Sequence, residues 1–398
     1  MKIAVETSMI RLGHSAGVEM FTAGLLKGIS GVARDPLDVT VLHGTAEQWR
    51  SIVPSSHIIW RESRMPLRTD TRVGQWARRW APPAVRDSRS MRSAVMLARR
   101  STSDRHREAD VVLLPTGTGP LPPRPSVVVM HDFRAFHESF RAPGYAEQQR
   151  KNMERAAAVI VSWPHPYREA LRRFPHLRDR IVLIPVPPLQ LPARILPADP
   201  EPGLLLYPSS TAQHKNHAVL LEAMTLLPGY RLICPGPLVE PEASRLLARA
   251  AEPDLAGRVS FPGFVSADDL SRLYARADAM VVPSLWEAAS GAMLEAFAWG
   301  LPVACADSEP LLAQLEFTGA EATVFAQRDP EALAESVRRL LADRDRFAAA
   351  SVRAGTRLAG RTWAATGRDY LDVLTWVAEG RPGPIPRSDF GRMLHPQT

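Results

Sequence analysis

The sequence has little cysteine: two residues in 398, Cys234 and Cys305, each in an apolar run and far apart. That scarcity excludes a disulfide framework and predicts two reduced core thiols in a cytoplasmic setting. No Cys/His cluster stands at ligand spacing, so no zinc site is expected. No stretch approaches the roughly 20 uninterrupted apolar residues that cross a bilayer. The N-terminal MKIAVETSMI lacks a basic head, a long apolar run and a small-residue cleavage site, so it reads as a strand and not a leader. The first strand is not followed by Gly-x-Gly-x-x-Gly with an acid about twenty residues on, which tells against a dehydrogenase.

What is present is ordinary soluble α/β composition, 45% hydrophobic and 23% charged, in a chain long enough for two cores. The net charge of +7 is unevenly placed. Residues 61–110 hold thirteen arginines and no lysine against six acids, Glu62, Asp70, Asp87, Asp104, Glu108 and Asp110, an excess of seven that equals that of the whole chain. Such a segment suits an anionic membrane, an anionic substrate or nucleic acid; a solvated helical face is the alternative. Trp76 and Trp80, four apart with Arg78 and Arg79 beside them, favour the membrane. No aromatic stacking motif supports nucleic acid, and no nucleic-acid partner is expected.

Short apolar runs without polar alternation predict strands buried on both faces, hence parallel sheets. They fall at 3–5, 39–42, 111–114, 127–130, 159–161 and 182–184. A helical pattern covers Val18–Ile29, after a loop with Gly13 and Gly17. The proline-rich stretch from Pro185 to Pro202, with seven prolines, reads as a linker. The alternation then restarts with strands at 204–207, 231–234, 259–261, 279–282, 302–305 and 323–325. Ser266 is predicted to cap a helix running to Arg276, with Asp269 at its third position. The predicted architecture is α/β: two Rossmann-like doubly wound domains facing across a cleft, with ligands in loops just after strands. The predicted divisions are 1–190, 200–362, a helix at 363–380 that crosses back to the first domain, and a flexible tail at 381–398.

The segment VVPSLWEAASGAMLEAFAWGLPVACAD, residues 281–307, carries the sharpest chemistry. Its strand runs into a loop with Glu287. Ser290 can cap a helix that starts at Gly291 and ends at Gly300-Leu301-Pro302. Small side chains there would leave the amides of Ser290, Gly291 and Ala292 open to an anion. Glu287 before the helix and Glu295 one turn inside it can accept from sugar hydroxyls, or be solvated helix-end acids. In YPSSTAQHKNHAVLLEAM, residues 207–224, Lys215 can place a point charge on a phosphate, or simply start a helix. The glycines of the first loop allow close approach of backbone to phosphate, or a plain tight turn. His131 follows a buried strand and can donate to a sugar hydroxyl, with Asp132 orienting it, or the two can form a structural pair.

Pro283-Ser284, Glu287, seven intervening residues, Glu295 and Gly300-x-Pro302-Val303 together resemble the donor-site signature of retaining, nucleotide-sugar-dependent glycosyltransferases of the GT-B fold, glycosyltransferase family 4. The resemblance is strong over about 200–378 and thin before it. It implies that Glu287 contacts the transferred sugar and Glu295 the ribose hydroxyls. It also implies that Lys215, in its Lys-Asn pair, binds the donor diphosphate, that the Gly13–Gly17 loop meets phosphate and acceptor, and that His131 lies over the sugar. The loop Gly263-Phe264-Val265 would contact the base. Two positions depart from the pattern. Ala288-Ala289-Ser290 replaces Gly-Phe-Gly, and Ser209 stands where an arginine usually precedes the lysine by six residues.

The expected function is retaining transfer of a hexose-type sugar from a nucleoside diphosphate-sugar, without metal or other cofactor. The acceptor would be a cell-surface glycan, a lipid-linked intermediate or a small molecule. The alternatives are a catalytically weak GT-B homologue that binds a nucleotide or partner, motivated by Ser209, and another Rossmann enzyme such as an epimerase.

Overall fold

The computed structural model describes residues 1–10, 12, 16–63, 106–119, 121–137, 144–188 and 200–389. Gly13, most of the Arg-rich segment and the middle of the proline-rich stretch lie outside them. The chain forms two compact units.

The first unit comprises Met1–Ser162, Pro166–Pro185 and Thr362–Arg392. Its sheet has seven strands: β1 (Ile3–Glu6), β2 (Leu37–Leu42), β3 (Ile58–Ser63), β4 (Val111–Leu114), β5 (Ser126–Met130), β6 (Ala158–Val161) and β7 (Ile181–Leu183). Their order is β3-β2-β1-β4-β5-β6-β7, and every neighbouring pair is parallel. The strands β1, β4, β5 and β6 at the centre of the sheet are buried at every position, as their apolar runs predict. The strand missing from the sequence-based expectation is β3. It lies on the edge, only Ile58 and Ser63 at its two ends are buried, and its Arg61 holds Asp38 of β2 at 2.7 Å. The first residues of the Arg-rich segment are therefore a strand, not helical decoration.

The second unit is built mainly from Val186–Arg361. Its sheet joins β8 (Leu204–Leu206), β9 (Arg231–Pro235), β10 (Val259–Gly263), β11 (Ala279–Val282), β12 (Val303–Ala306) and β13 (Thr323–Phe325) in the parallel order β10-β9-β8-β11-β12-β13. Both sheets share the Rossmann reversal of strand order, between β1 and β4 in one and between β8 and β11 in the other. Loops leaving those strands at their carboxyl ends are where ligands bind in such sheets.

Cys234 and Cys305 are buried and free, and burial pushes the Cys305 thiol up to about 12. Ser266 caps α7 (Ala267–Arg276), accepting from the Asp269 amide at 3.1 Å. In Asp343-Arg344-Asp345, the one Asp-x-Asp of the chain, Asp343 lies between two helices and pairs with Arg346 at 3.4 Å, and Arg344 and Asp345 open the second helix. Among the described residues no helix is long and apolar enough to cross a membrane.

Glycine sets two helix contacts. In the first unit α12 (Trp363–Ala378) packs on α1 (Ala16–Ser30). A Cβ on Gly24 would lie 2.2 Å from the Trp363 ring, one on Gly28 would lie 2.1 Å from the Trp363 carbonyl oxygen, and one on Gly367 would lie 2.4 Å from the Gly28 carbonyl carbon. In the second unit α11 (Arg344–Ala359) packs on α8 (Gly291–Ala298), where a Cβ on Gly355 would meet the Phe297 carbonyl oxygen at 2.3 Å. Residues 381–389, expected as part of a flexible tail, are partly packed: Ile385 and Ser388 are buried, and Trp376 Nε1 donates to the Gly383 carbonyl at 3.3 Å.

Overpacking a close backbone contact costs about 1–3 kcal/mol, sometimes more. Gly367→Ala is expected to destabilise the first unit by about that amount and to lower its midpoint in urea unfolding. Gly380→Ser, at a site with open space, serves as a control for a change outside the seam. It bears only the strain of its left-handed backbone, and a Gly367→Ala midpoint no lower than this control would contradict the seam's role.

Candidate active site

In the second unit the chain leaves β8 through Tyr207, turns at Gln213–Lys215, and enters α5 (His217–Thr225). It leaves β11 through Pro283-Ser284 and reaches Glu287 before α8. Asn216 links these two loops. Its backbone is left-handed, with φ of 58°, a conformation asparagine tolerates. From there its Nδ2 donates to the carbonyls of Pro283 at 3.1 Å and Gln327 at 2.8 Å. The Leu285 amide donates to the His214 carbonyl at 2.9 Å, a second link. The result is an ion pair between Lys215 Nζ and Glu287 Oε1 at 2.5 Å. Ser284 Oγ donates to the same oxygen at 2.8 Å, and the Tyr207 hydroxyl stands 2.7 Å from Ser284 Oγ. Tyr207 and Ser284 are buried; burial first, then the Glu287 charge, drives the phenol pKa up, so it remains a donor.

Ser290 caps α8 as predicted, accepting from the Met293 amide at 3.3 Å. Its own amide is not open to an anion, however. Gln314 of α9 (Glu309–Thr318) accepts from the Ser290 amide at 2.8 Å and donates to the Ser290 carbonyl at 2.9 Å. A side chain 24 residues downstream, on a different helix, has taken that donor, which leaves the amides of Gly291 and Ala292. A Cβ on Gly291 would meet nothing within 4 Å.

Glu295 lies inside α8 and is 9% exposed. The Tyr274 hydroxyl donates to its Oε2 at 2.6 Å, and the Tyr274 ring stacks on Trp299. Burial pushes the Glu295 carboxyl up to about 7, against the smaller opposite effect of that hydrogen bond. Ser209 lies on the loop after β8 with its side chain beside the Tyr207 hydroxyl, and Val265 lies on the loop after β10, outside the Lys215–Glu287 hydrogen-bond group. Ser209 packs where Gly236 passes: a Cβ on Gly236 would lie 2.3 Å from the Ser209 carbonyl oxygen. Phe264, beside Val265, is 80% exposed.

In the first unit His131 follows β5. Its Nε2 contacts the Pro115 carbonyl at 2.8 Å, and Phe21 packs edge-on at 4.6 Å. A carbonyl can only accept, so the proton is on Nε2 and the Nδ1 lone pair is left as an acceptor. Burial lowers the ring's pKa, which keeps it neutral. The expectation of a donor oriented by Asp132 is thereby corrected: Asp132 Oδ1 accepts instead from the Arg134 amide at 2.9 Å. Gly17 is exposed at the start of α1, and Gly13 lies outside the described residues. His137 and His176, without assigned partners in the sequence, face Glu169 at 3.2 Å and Glu154 at 3.0 Å.

Residues 193–356 match the family described as glycosyl transferases group 1. The D-inositol 3-phosphate glycosyltransferase of Nocardia farcinica is 33% identical over 145 residues, 35% of this chain and 32% of that protein, so the match spans about a third of that relative. Anabaena HepE, solved with UDP and glucose, superposes with a TM-score of 0.69 at 17% identity, covering 94% of this chain and 99% of its own. Sucrose-phosphate synthase from Thermosynechococcus elongatus does so with 0.69 at 19%, covering 96% and 100%. The two Rossmann-like units thus have the fold of GT-B glycosyltransferases. Sequence reasoning assigned no role to Tyr207, Tyr274 or Gln314. The one signal for Tyr207 was a polar-tipped aromatic closing the apolar run Leu204–Leu206.

The raised Glu295 pKa has a measurable consequence. The unfolded carboxyl loses its proton near 4.5 while the folded one keeps it to about 7, so stability falls as pH rises through that window and then levels. At about 1.4 kcal/mol per unit of pKa the loss approaches roughly 3 kcal/mol. Glu295→Gln is expected to be more stable than wild type by up to that amount at pH 8.5 and nearly equal to it at pH 4.5, as read by urea unfolding. Parallel pH profiles for the two proteins would show that burial of Glu295 does not set this dependence.

Proposed function

We propose that the protein is a retaining glycosyltransferase, of family 4 type, that moves a hexose-type sugar from a nucleoside diphosphate donor to an acceptor hydroxyl. The observation that carries this reading is the Lys215–Glu287 pair, held where β8 and β11 diverge and within the residues that match glycosyl transferases group 1. In this reading the second unit binds the donor and the first the acceptor. The bond between the anomeric carbon and the diphosphate breaks, the acceptor oxygen bonds to the same face of that carbon, and the acceptor proton passes to the leaving phosphate. Charge grows on the diphosphate as it leaves. Lys215 and the Gly291 and Ala292 amides stabilise that charge more in the transition state than in the ground state. Glu287 accepts from hydroxyls of the transferred sugar and Glu295 from those of the ribose, while His131 Nδ1 accepts from a sugar hydroxyl.

A lysine and backbone amides supply the charge that a metal would otherwise supply, so the transfer proceeds without one. UDP-sugars are the first donors to test, because HepE holds UDP and glucose. The acceptor class is a cell-surface glycan or lipid-linked intermediate. The arginines of 61–110 suit a cytoplasmic protein resting on an anionic membrane face where such acceptors lie. A second reading rests on Ser209, which leaves Lys215 without the usual arginine: a nucleotide-binding homologue with weak or no transfer.

Thermal shift with UDP, GDP and TDP is expected to show stabilisation by at least one; if none stabilises the protein, the donor-site reading fails. Lys215→Ala is expected to lower kcat for donor hydrolysis or transfer by about 100-fold or more, the scale of losing one group that stabilises a developing anion, and Glu287→Gln is expected to lower it as well, by removing the carboxylate that accepts from the sugar hydroxyls. Turnover is expected to survive excess EDTA. Nucleotide binding without turnover in the wild type would select the second reading.

A further inference from the structure

The hydrogen bonds around Glu287 run in one direction. Lys215 has only donors, and Glu287 Oε1 accepts from it at 2.5 Å. The single proton of Ser284 goes to the same Oε1 at 2.8 Å. Ser284 Oγ must then accept from Tyr207, 2.7 Å away. The Tyr207 hydroxyl also faces the Lys215 carbonyl at 3.2 Å, which only accepts, and the Ser209 side chain, which can donate to the phenol oxygen. Tyr207, Ser284 and Glu287 therefore form a buried relay whose protons run toward Glu287 Oε1, the oxygen that Lys215 also holds. Glu287 Oε2 has no protein partner among the described residues and is the oxygen left for a ligand.

The relay matters because Lys215 has two claimants. No arginine accompanies it between Gly203 and Tyr230, so one ammonium must serve both Glu287 and any incoming diphosphate. A diphosphate carries more charge than a carboxylate and draws the lysine toward itself. Glu287 would then lose one of its two anchors at the moment it has to face the sugar. We infer that Tyr207 and Ser284 are positioning residues that keep Glu287 Oε1 in place, and so keep Oε2 aimed, while Lys215 exchanges the carboxylate for donor phosphate. Neither residue touches the donor. The inference rests on the donor-site reading above.

The test compares wild type, Tyr207→Phe, Ser284→Ala and Ser284→Thr. Calorimetry measures the Kd of the nucleoside diphosphate that best stabilises the wild type, and of its glucose-bearing form; kcat is measured where turnover exists. Tyr207→Phe and Ser284→Ala are expected to bind the bare diphosphate within about 2-fold of wild type, to lose the added affinity contributed by the sugar, and to turn over about 10-fold more slowly, on the scale of one buried hydrogen bond. Ser284→Thr, which keeps the hydroxyl, is expected to restore both. The Kd ratio reports on Glu287 even if the wild type does not turn over, and Ser284→Ala keeps the question open to measurement if Tyr207→Phe fails to fold. Failure of the wild type to bind any nucleoside diphosphate sinks the donor-site reading itself. With wild-type binding intact, the positioning role is overturned by variants that match the wild type in sugar-dependent affinity and kcat. Variants that lose bare diphosphate binding also overturn it, because the relay would then act through Lys215.

Discussion

The interaction on which the second unit's chemistry depends is the ion pair between Lys215 and Glu287, 72 residues apart in the chain. Neither side chain reaches the other by local geometry. The pair exists because the β8 and β11 loops leave adjacent parallel strands at the same end of the sheet, and because Asn216 and the His214 carbonyl tie the loops together. A buried pair of this kind is weak evidence for stability, since desolvation offsets much of the attraction. Its better explanation is positional. It holds a cation and a carboxylate side by side, where the proposed function places an anionic leaving group and a sugar.

The scaffold around that pair is made rigid by close backbone contacts. Gly355 lets α11 approach the carbonyl of Phe297 and so fixes α8, the helix that carries Ser290 and Glu295. Ser351 adds a bond to the Leu301 carbonyl at 2.7 Å, just beyond the end of α8. Gln314 then closes the helix N-terminus from the side. The cap is thus held by tertiary contacts as well as by its own serine, and the number of amides open to a ligand is smaller than the local sequence suggests. In the first unit the Gly28–Gly367 seam performs the same service for α1, whose Phe21 packs on His131.

In the proposed donor site, Glu295 sets function against stability in one residue. Its carboxyl is buried enough to hold a proton near neutrality, yet a ribose would be bound best by the ionised form. Tyr274 gives one oxygen a partner and leaves the other available, which makes the cost of burial tolerable without removing it.

Apolar runs of three or four residues identified twelve of the thirteen strands among the described residues, because a strand covered on both faces needs no polar alternation. The missing β3 is an edge strand, mostly exposed between its buried ends, and its polar residues do not stand out from a loop. The Ser266 and Ser290 caps were legible because capping is a contact within four residues. The spacing of Glu287 and Glu295 in their loop and helix was legible for the same reason. What the tertiary structure alone decided were the partners: Tyr207 and Ser284 for Glu287, Tyr274 for Glu295, Gln314 for the Ser290 amide, and Pro115 in place of Asp132 for His131. Each of those contacts, apart from Ser284 to Glu287, joins residues sixteen or more positions apart. Local propensity carries no information at that range. Strand order brings those residues together.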